Sequence, residues 1–176
     1  MKIREIECID ICSSKDLRGS SCRIYERESI KKFLCDEIFI SASGKDVIRG
    51  MHFQEHPYEQ KKLITVLEGS IEGVILDLRK TSDTYLEIEC VKMDEESNFS
   101  LLLPELCAWG FHALAGKNVV LYGISGKYHN DFDMGVRWDS IGFNWKTENP
   151  IVSQRDKNFI TLDEYIWRRE NGKDFM

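Results

Sequence analysis

The chain has no long apolar run. Its first ten residues, Met1-Lys-Ile-Arg-Glu-Ile-Glu-Cys-Ile-Asp10, alternate charged and apolar side chains. That pattern argues against a signal peptide, and nothing later approaches the ~20 apolar residues of a membrane-spanning helix. Basic blocks are also lacking. Lys and Arg total 24 against 30 Asp and Glu, for a formal net charge of −6, which disfavours nucleic-acid binding through phosphate neutralisation. A few local Arg and Lys side chains still suffice for a small anionic ligand. There are only three prolines, with no low-complexity linker and no internal repeat. At 176 residues the expectation is one domain, residues 1–176, burying about 70% of its unfolded surface. The six cysteines, at 8, 12, 22, 35, 90 and 107, include no CxxC pair. Reduced, buried thiols in the cytoplasm are therefore expected rather than disulfides. Cys107 remains open as a nucleophile, although most free cysteines are small apolar fillers.

What is present is strand pattern. The hydrophobic fraction is 42% and the charged fraction 31%, ordinary values for a soluble globular protein. Residues 2–12 alternate like a half-buried strand, and residues 62–68 and 71–79 are dense in Ile, Val and Leu. Gly69-Ser70 between them reads as a tight hairpin turn. Further strands are expected over 85–93, 99–103, 111–114 and 118–125. Residues 26–35 read as a short helix with Ile30, Phe33 and Leu34 on one side. Thr161-Leu-Asp-Glu164 has capping-box spacing and opens a helix through Arg169. Many short strands punctuated by Gly, Pro, Asn and Asp predict a mainly β, antiparallel sandwich or barrel with short peripheral helices.

The chemistry concentrates around Arg49-Gly-Met-His-Phe-Gln54. Period-two alternation puts His52 and Gln54 on one strand face, and Lys62, Ile64 and Val66 on one face of the next strand. A lysine pointing into a barrel is costly unless paired or used, so periodicity alone favours Lys62 at a strand start reaching solvent. His52, His56, Glu59 and His112 also supply donors of the kind metal-binding cupins use. However, residues i and i+4 of an extended chain lie about 13 Å apart, so His52 and His56 share an ion only if the chain turns sharply. No metal and no cofactor are therefore expected, and His112 reads as a packed or surface histidine.

These segments stand in an order that resembles the nucleotide-sugar 3,5-epimerases typified by dTDP-4-dehydrorhamnose 3,5-epimerase. The resemblance runs from residues 49–54 through Gln60-Lys-Lys62-Leu63, Gly69, Val74-Ile-Leu-Asp77-Leu-Arg79 and Ser82-Asp-Thr84-Tyr85. It continues through Leu103-Pro104, Ala108-Trp-Gly110-Phe111, Leu121-Tyr122, Gly135-Val-Arg-Trp138-Asp139, Ile141-Gly-Phe-Asn-Trp145 and Pro150-Ile-Val-Ser153-Gln-Arg-Asp156. It implies a cupin jelly-roll barrel that dimerises, with an N-terminal arm over 1–46, a barrel core over about 47–145 and a C-terminal segment over 146–176. It also implies His52 as catalytic base, Asp156 as the acid orienting it, Lys62 beside the sugar ketone and Tyr122 as proton donor on the opposite face. The implied substrate is a nucleotide-diphosphate 4-keto-6-deoxy sugar, inverted at C3, C5 or both. Arg49 and Gln54 are candidates for holding the sugar or diphosphate, and Tyr128 and Trp138 for lining the nucleotide side or the core. Arg18, in Asp16-Leu-Arg18-Gly19, fits an arm the family often sends into a neighbouring subunit.

That division of labour is chemically sound. A hydrogen beside a ketone is acidic because its conjugate base is an enolate, so a cation at the ketone oxygen stabilises the transition state above the ground state. An imidazole is substantially neutral near pH 7 and can accept the proton. Inversion then requires a second group on the other face. Two departures from the family pattern stand out. Trp109 replaces the usual histidine bordering the substrate, and Ser20-Ser-Cys-Arg23 replaces the aromatics and glutamate that help hold thymine. CDP-, GDP- and UDP-sugars thus stay open beside TDP-sugars. A 3,4-ketoisomerase and a non-catalytic sugar-binding cupin are the alternatives.

Overall fold

The computed structural model describes residues 1–172; the end of the expected C-terminal segment, 173–176, lies outside the described residues. Strands dominate. Residues 1–46 hold β1 (Glu7–Asp10), β2 (Cys12–Asp16), β3 (Gly19–Arg23) and β4 (Glu37–Gly44). The centre of the chain supplies β5 (Ile48–Gln54), β6 (Lys61–Glu68), β7 (Ser70–Asp77) and β8 (Ile88–Asp94). Then follow β9 (Phe99–Leu103), β10 (Cys107–Ala113), β11 (Lys117–Ser125) and β12 (Asp133–Gly135), with helices α1 (Gln154–Lys157) and α2 (Leu162–Glu170) last.

Two five-stranded antiparallel sheets form, in the orders β1-β9-β6-β11-β4 and β12-β5-β10-β7-β8, while β2 and β3 pair only with each other. Between the sheets, Ile64 and Val66 of β6, Leu101 and Leu103 of β9 and Val120 of β11 meet Ile71 and Ile75 of β7 and Phe111 of β10. The outer face of the second sheet is covered by the C-terminal segment, which packs Trp145, Val152 and Tyr165 onto Val74 and Leu76. Seven of the eight β7 residues are consequently buried, Glu72 and Asp77 among them, because the strand is covered on both faces. The result is a mainly β jelly roll with a few short helices, as the resemblance implied.

Four local expectations change. Residues 68 and 70 do not flank a hairpin: β6 and β7 belong to different sheets, and Gly69 is the corner between them. Its φ of +82° and the Lys117 carbonyl 2.2 Å from where a Cβ would sit leave no room for a side chain. Residues 26–35 are successive turns, closed by bonds from Ser29 N to Glu26 O and from Phe33 N to Ile30 O. Ile30 and Phe33 plug the outer face of the first sheet against Leu63 and Leu102, each worth about 1.5–3 kcal/mol. Tight turns put residues three apart on one side just as a helix does, which accounts for the pattern. The strand expected at 111 begins at Cys107, and the one expected at 85 begins at Ile88. The cysteines are free, but Cys8, Cys12, Cys22 and Cys90 are exposed, and only Cys107 is buried. The Thr161 cap stands as read: its hydroxyl accepts from Glu164 N and α2 follows.

Candidate active site

A cavity of about 410 Å³ opens between the sheets. The second sheet lines it with Arg49, His52 and Gln54 of β5 and Trp109 of β10; the first sheet contributes Phe39 and Ser41 of β4, Lys62 of β6 and Tyr122 of β11. Gln60, Tyr128, Asp133 and Arg155 are also among the lining residues. Strict alternation would send Arg49 and His52 to opposite faces. Trp109 opposes His52 while Phe111 opposes Arg49, so β5 takes an extra step against β10, and this bulge turns both side chains into the cavity.

His52 is held by α1. The Ser153 hydroxyl caps that helix by accepting from Asp156 N at 3.1 Å, which fixes Asp156 in its first turn. The Asp156 carboxylate then accepts from His52 Nε2 at 2.9 Å and from Gly50 N at 3.0 Å. Burial pushes the Asp156 pKa up, but the bonds from His52 and Gly50 outweigh it and hold it below the ordinary carboxylate value. An ionised carboxylate only accepts hydrogen bonds, so Nε2 carries the ring hydrogen and Nδ1 is the basic nitrogen.

Lys62 lines the cavity instead of extending to the outer surface, contrary to the reading from periodicity. It is half-buried, and its ammonium donates to the His52 carbonyl at 2.8 Å. Burial pulls its pKa down to about 8, with the negative charge of Asp133 opposing the fall. Tyr122 is held on two sides. Its ring stacks on Phe39 with centroids 4.7 Å apart and planes 13° apart, and its oxygen accepts from Trp109 Nε1 at 3.4 Å. Burial raises the Tyr122 pKa, while donation from Trp109 works against the rise.

The remaining expected residues divide. Arg49 lines the cavity but already donates Nε to Ser43 Oγ and Nη2 to the Ala42 carbonyl. Gln54 spends its amide on the backbone, with Nε2 on the Tyr58 and Lys127 carbonyls and Oε1 on His129 N, so it braces the rim. Tyr128 lies at the wall and donates to Asp133. Trp138 is a core residue instead of a lining one, packed edge-on against Trp145, whose indole donates to the Trp138 carbonyl. Arg18 sits on the β2–β3 turn, paired with Asp16, and is not among the residues lining the cavity.

Cys107 points into the packed core beyond the cavity lining, and burial pushes its thiol up to about 12, so it fills space and supplies no thiolate. His56 pairs with Glu59 at the surface and His112 is buried beside Asp46. Among the described residues, no three His, Cys, Asp or Glu side chains converge on one point.

Sequence reasoning missed Phe39, Ser41, Asp133 and Arg155. The first two belong to β4, whose Glu37-Ile-Phe-Ile-Ser-Ala-Ser-Gly44 is apolar on both faces at first and small afterwards, a weak strand signal. Arg155 precedes Asp156 directly; its guanidinium pairs with Asp133 at 2.6 Å and lies 5.3 Å from the Phe159 ring centroid.

The comparisons agree with this geometry. A dTDP-4-dehydrorhamnose 3,5-epimerase of Methanothermobacter thermautotrophicus is 41% identical over 130 residues, 70% of this chain and 69% of that protein. The structure of dTDP-4-dehydrorhamnose 3,5-epimerase from Bacillus anthracis with TDP and PPi bound superposes with TM-score 0.87 at 29% identity, covering 92% of this chain and 97% of the other. NovW, a 4-keto-6-deoxy sugar epimerase from the novobiocin gene cluster of Streptomyces spheroides, gives TM-score 0.89 at 27% identity, covering 98% and 89%. The family model for dTDP-4-dehydrorhamnose 3,5-epimerase matches residues 1–164. This jelly roll, with His52 and Tyr122 lining one cavity from its two sheets, belongs to the dTDP-4-dehydrorhamnose 3,5-epimerase family of nucleotide-sugar isomerases.

Proposed function

We propose that this protein epimerises a nucleotide-activated 4-keto-6-deoxy sugar at C3, C5 or both, in deoxysugar and polysaccharide biosynthesis, and does so as one domain. The observation that carries the reading is the His52–Asp156 pair on one sheet and the Tyr122 hydroxyl on the other, lining the same cavity. In this reading the C–H bond beside the ketone breaks toward His52 Nδ1, and its electrons move to the ketone oxygen as an enolate. Asp156 stabilises the imidazolium, and Lys62 holds the oxyanion. The ketone re-forms as the carbon takes a proton from Tyr122 on the other face. Nothing in this sequence needs a metal or a redox cofactor: every step is a proton transfer.

The diphosphate fits Arg49 and Arg155, whose guanidiniums suit phosphate oxygens, and Tyr128 offers its ring to the base. We further infer a homodimer. Every residue of β2 and β3 is exposed, and Ile38 and Ile40 of the edge strand β4 are 63% and 61% exposed; a second subunit would cover both and bring Arg18 to its neighbour's cavity. A nucleotide-sugar substrate and free, mostly exposed cysteines suit the cytoplasm.

The test is proton exchange. In D2O, deuterium should enter C3 or C5 of a 4-keto-6-deoxy sugar carried on TDP, CDP, GDP or UDP. No incorporation across the four nucleotides would overturn the epimerase reading, and turnover of a single one would name the nucleotide.

A further inference from the structure

We propose that Trp109 is a positioning residue that holds Tyr122 as an obligate proton donor, a role that rests on the epimerase reading above. An indole N–H can only donate. With Trp109 Nε1 directed at Tyr122 Oη at 3.4 Å, the phenol oxygen is the acceptor of that bond. Its own hydrogen must then point away from the indole, toward the cavity that Tyr122 lines. A histidine at 109 would fix no such polarity, because a neutral imidazole carries one donor and one acceptor nitrogen and can take the tyrosine proton as readily as give its own. Tryptophan at 109 thus makes a directed contact where a histidine would leave an ambiguous one.

The surroundings are shaped for the indole. Trp109 is 3% exposed, and its six-membered ring lies over Gly73 on the neighbouring strand, with Cη2 2.3 Å from where a Cβ would be. Phe39 clamps the phenol ring from its own side of the cavity. Tyr122 is therefore oriented through ring and oxygen together. The 3.4 Å separation is long for an N–H···O bond. It has room to shorten as negative charge grows on the phenol oxygen during proton delivery, which is when donation to that oxygen matters most.

The consequence is kinetic. After His52 removes a proton, the enolate carbon either regains one from His52, restoring substrate, or takes one from Tyr122, completing inversion and leaving a tyrosinate. Donation from Trp109 stabilises that tyrosinate and favours the second path. Removing the N–H should leave abstraction by His52 running and shift the outcome toward return.

The experiment follows both fates in D2O, comparing deuterium in recovered substrate with formation of inverted product. For Trp109→Phe, and for β-(3-benzothienyl)alanine at 109, which keeps the indole's shape with sulfur in place of N–H, the ratio of inversion to exchange should fall roughly ten- to a hundredfold, the scale of one hydrogen bond to a charged group. The indole N–H resonance that disappears in Trp109→Phe should also move by tenths of a ppm in Tyr122→Phe. An unchanged ratio in the benzothienyl variant, or an indole resonance indifferent to Tyr122→Phe, overturns the proposal. No exchange even in the unsubstituted protein would instead sink the epimerase reading, so the two failures are distinct.

Discussion

Lys62 Nζ lies 2.8 Å from the carbonyl oxygen of His52, tying the cavity's cation on one sheet to the residue that carries its base on the other. The bond holds the ammonium within the space a ketone oxygen would enter. Burial lowers its pKa from 10.5 to about 8, so the group is charged below that pH and neutral above it. The exchange rate should accordingly decline as pH rises through about 8. Lys62→Met should lose about 10²–10³ of the rate, the usual consequence of removing one oxyanion donor, and should lose this alkaline limb as well. Wild-type exchange that stays level well above pH 8 would show that Lys62 is not the oxyanion's partner.

Asp156 makes a stability and a rate prediction at once. Its pKa is depressed in the fold, so the stability it contributes is present above the ordinary value of 3.8 and lost as pH falls through the folded value. Asp156→Asn should therefore be less stable than wild type to urea at pH 7, and the gap should close in acid. In the variant, Gly50 N–H would keep the amide oxygen on its side and turn the amide NH2 toward His52 Nε2. That arrangement forces the ring hydrogen onto Nδ1 and removes the base, so exchange should drop by about 10²–10⁴. A fully active Asp156→Asn would refute the pairing's role.

Trp109 and Gly73 should behave as a coupled pair. Gly73→Ala places a Cβ 2.3 Å from Trp109 Cη2, and with both residues buried in the sheet the indole must move. The expected destabilisation is about 1–3 kcal/mol from overpacking. In a Trp109→His background the same change should be much milder, because the six-membered ring is gone. Denaturant melts of the two single variants and the double variant form the cycle; strictly additive values would mean that Gly73 does not make room for the indole.

How far the sequence anticipates this site depends on how local each signal is. Strand β9 and the Thr161 cap were legible to the residue because alternation and capping spacing are short-range patterns. His52, Lys62, Tyr122 and Asp156 were legible through their order along the chain. The direction of Lys62 was not: alternation names two faces, and only the pairing of β6 with β9 and β11 decides which face is inside. The Gly69 corner read as a hairpin because a turn's residues do not reveal whether the strands it joins share a sheet. Arg49 and His52 facing one cavity depends on a bulge against β10, a relation between strands more than 50 residues apart in sequence. Trp138 was open between lining and core, and its partner Trp145, seven residues on, draws it into the core beneath the second sheet.

The exposed β2–β3 hairpin gives the last prediction, which separates service in trans from service in cis. Arg18 is solvent-exposed and pairs with Asp16 on its own hairpin, and it is not among the residues lining the cavity of its own chain. If the protein is a dimer in which the arm reaches its neighbour, light scattering should give twice the chain mass, and Ile40→Glu on the exposed edge strand should shift it toward monomer. Arg18→Ala should raise KM for the nucleotide sugar more than it lowers kcat, since the residue would hold substrate and not move protons. His52→Asn should be inactive. Mixing these two defective proteins after dissociation should restore turnover, because a mixed dimer contains one cavity with an intact His52 facing an arm with an intact Arg18. A mixture no more active than Arg18→Ala alone would place Arg18 outside the neighbour's site and leave the hairpin without a catalytic part.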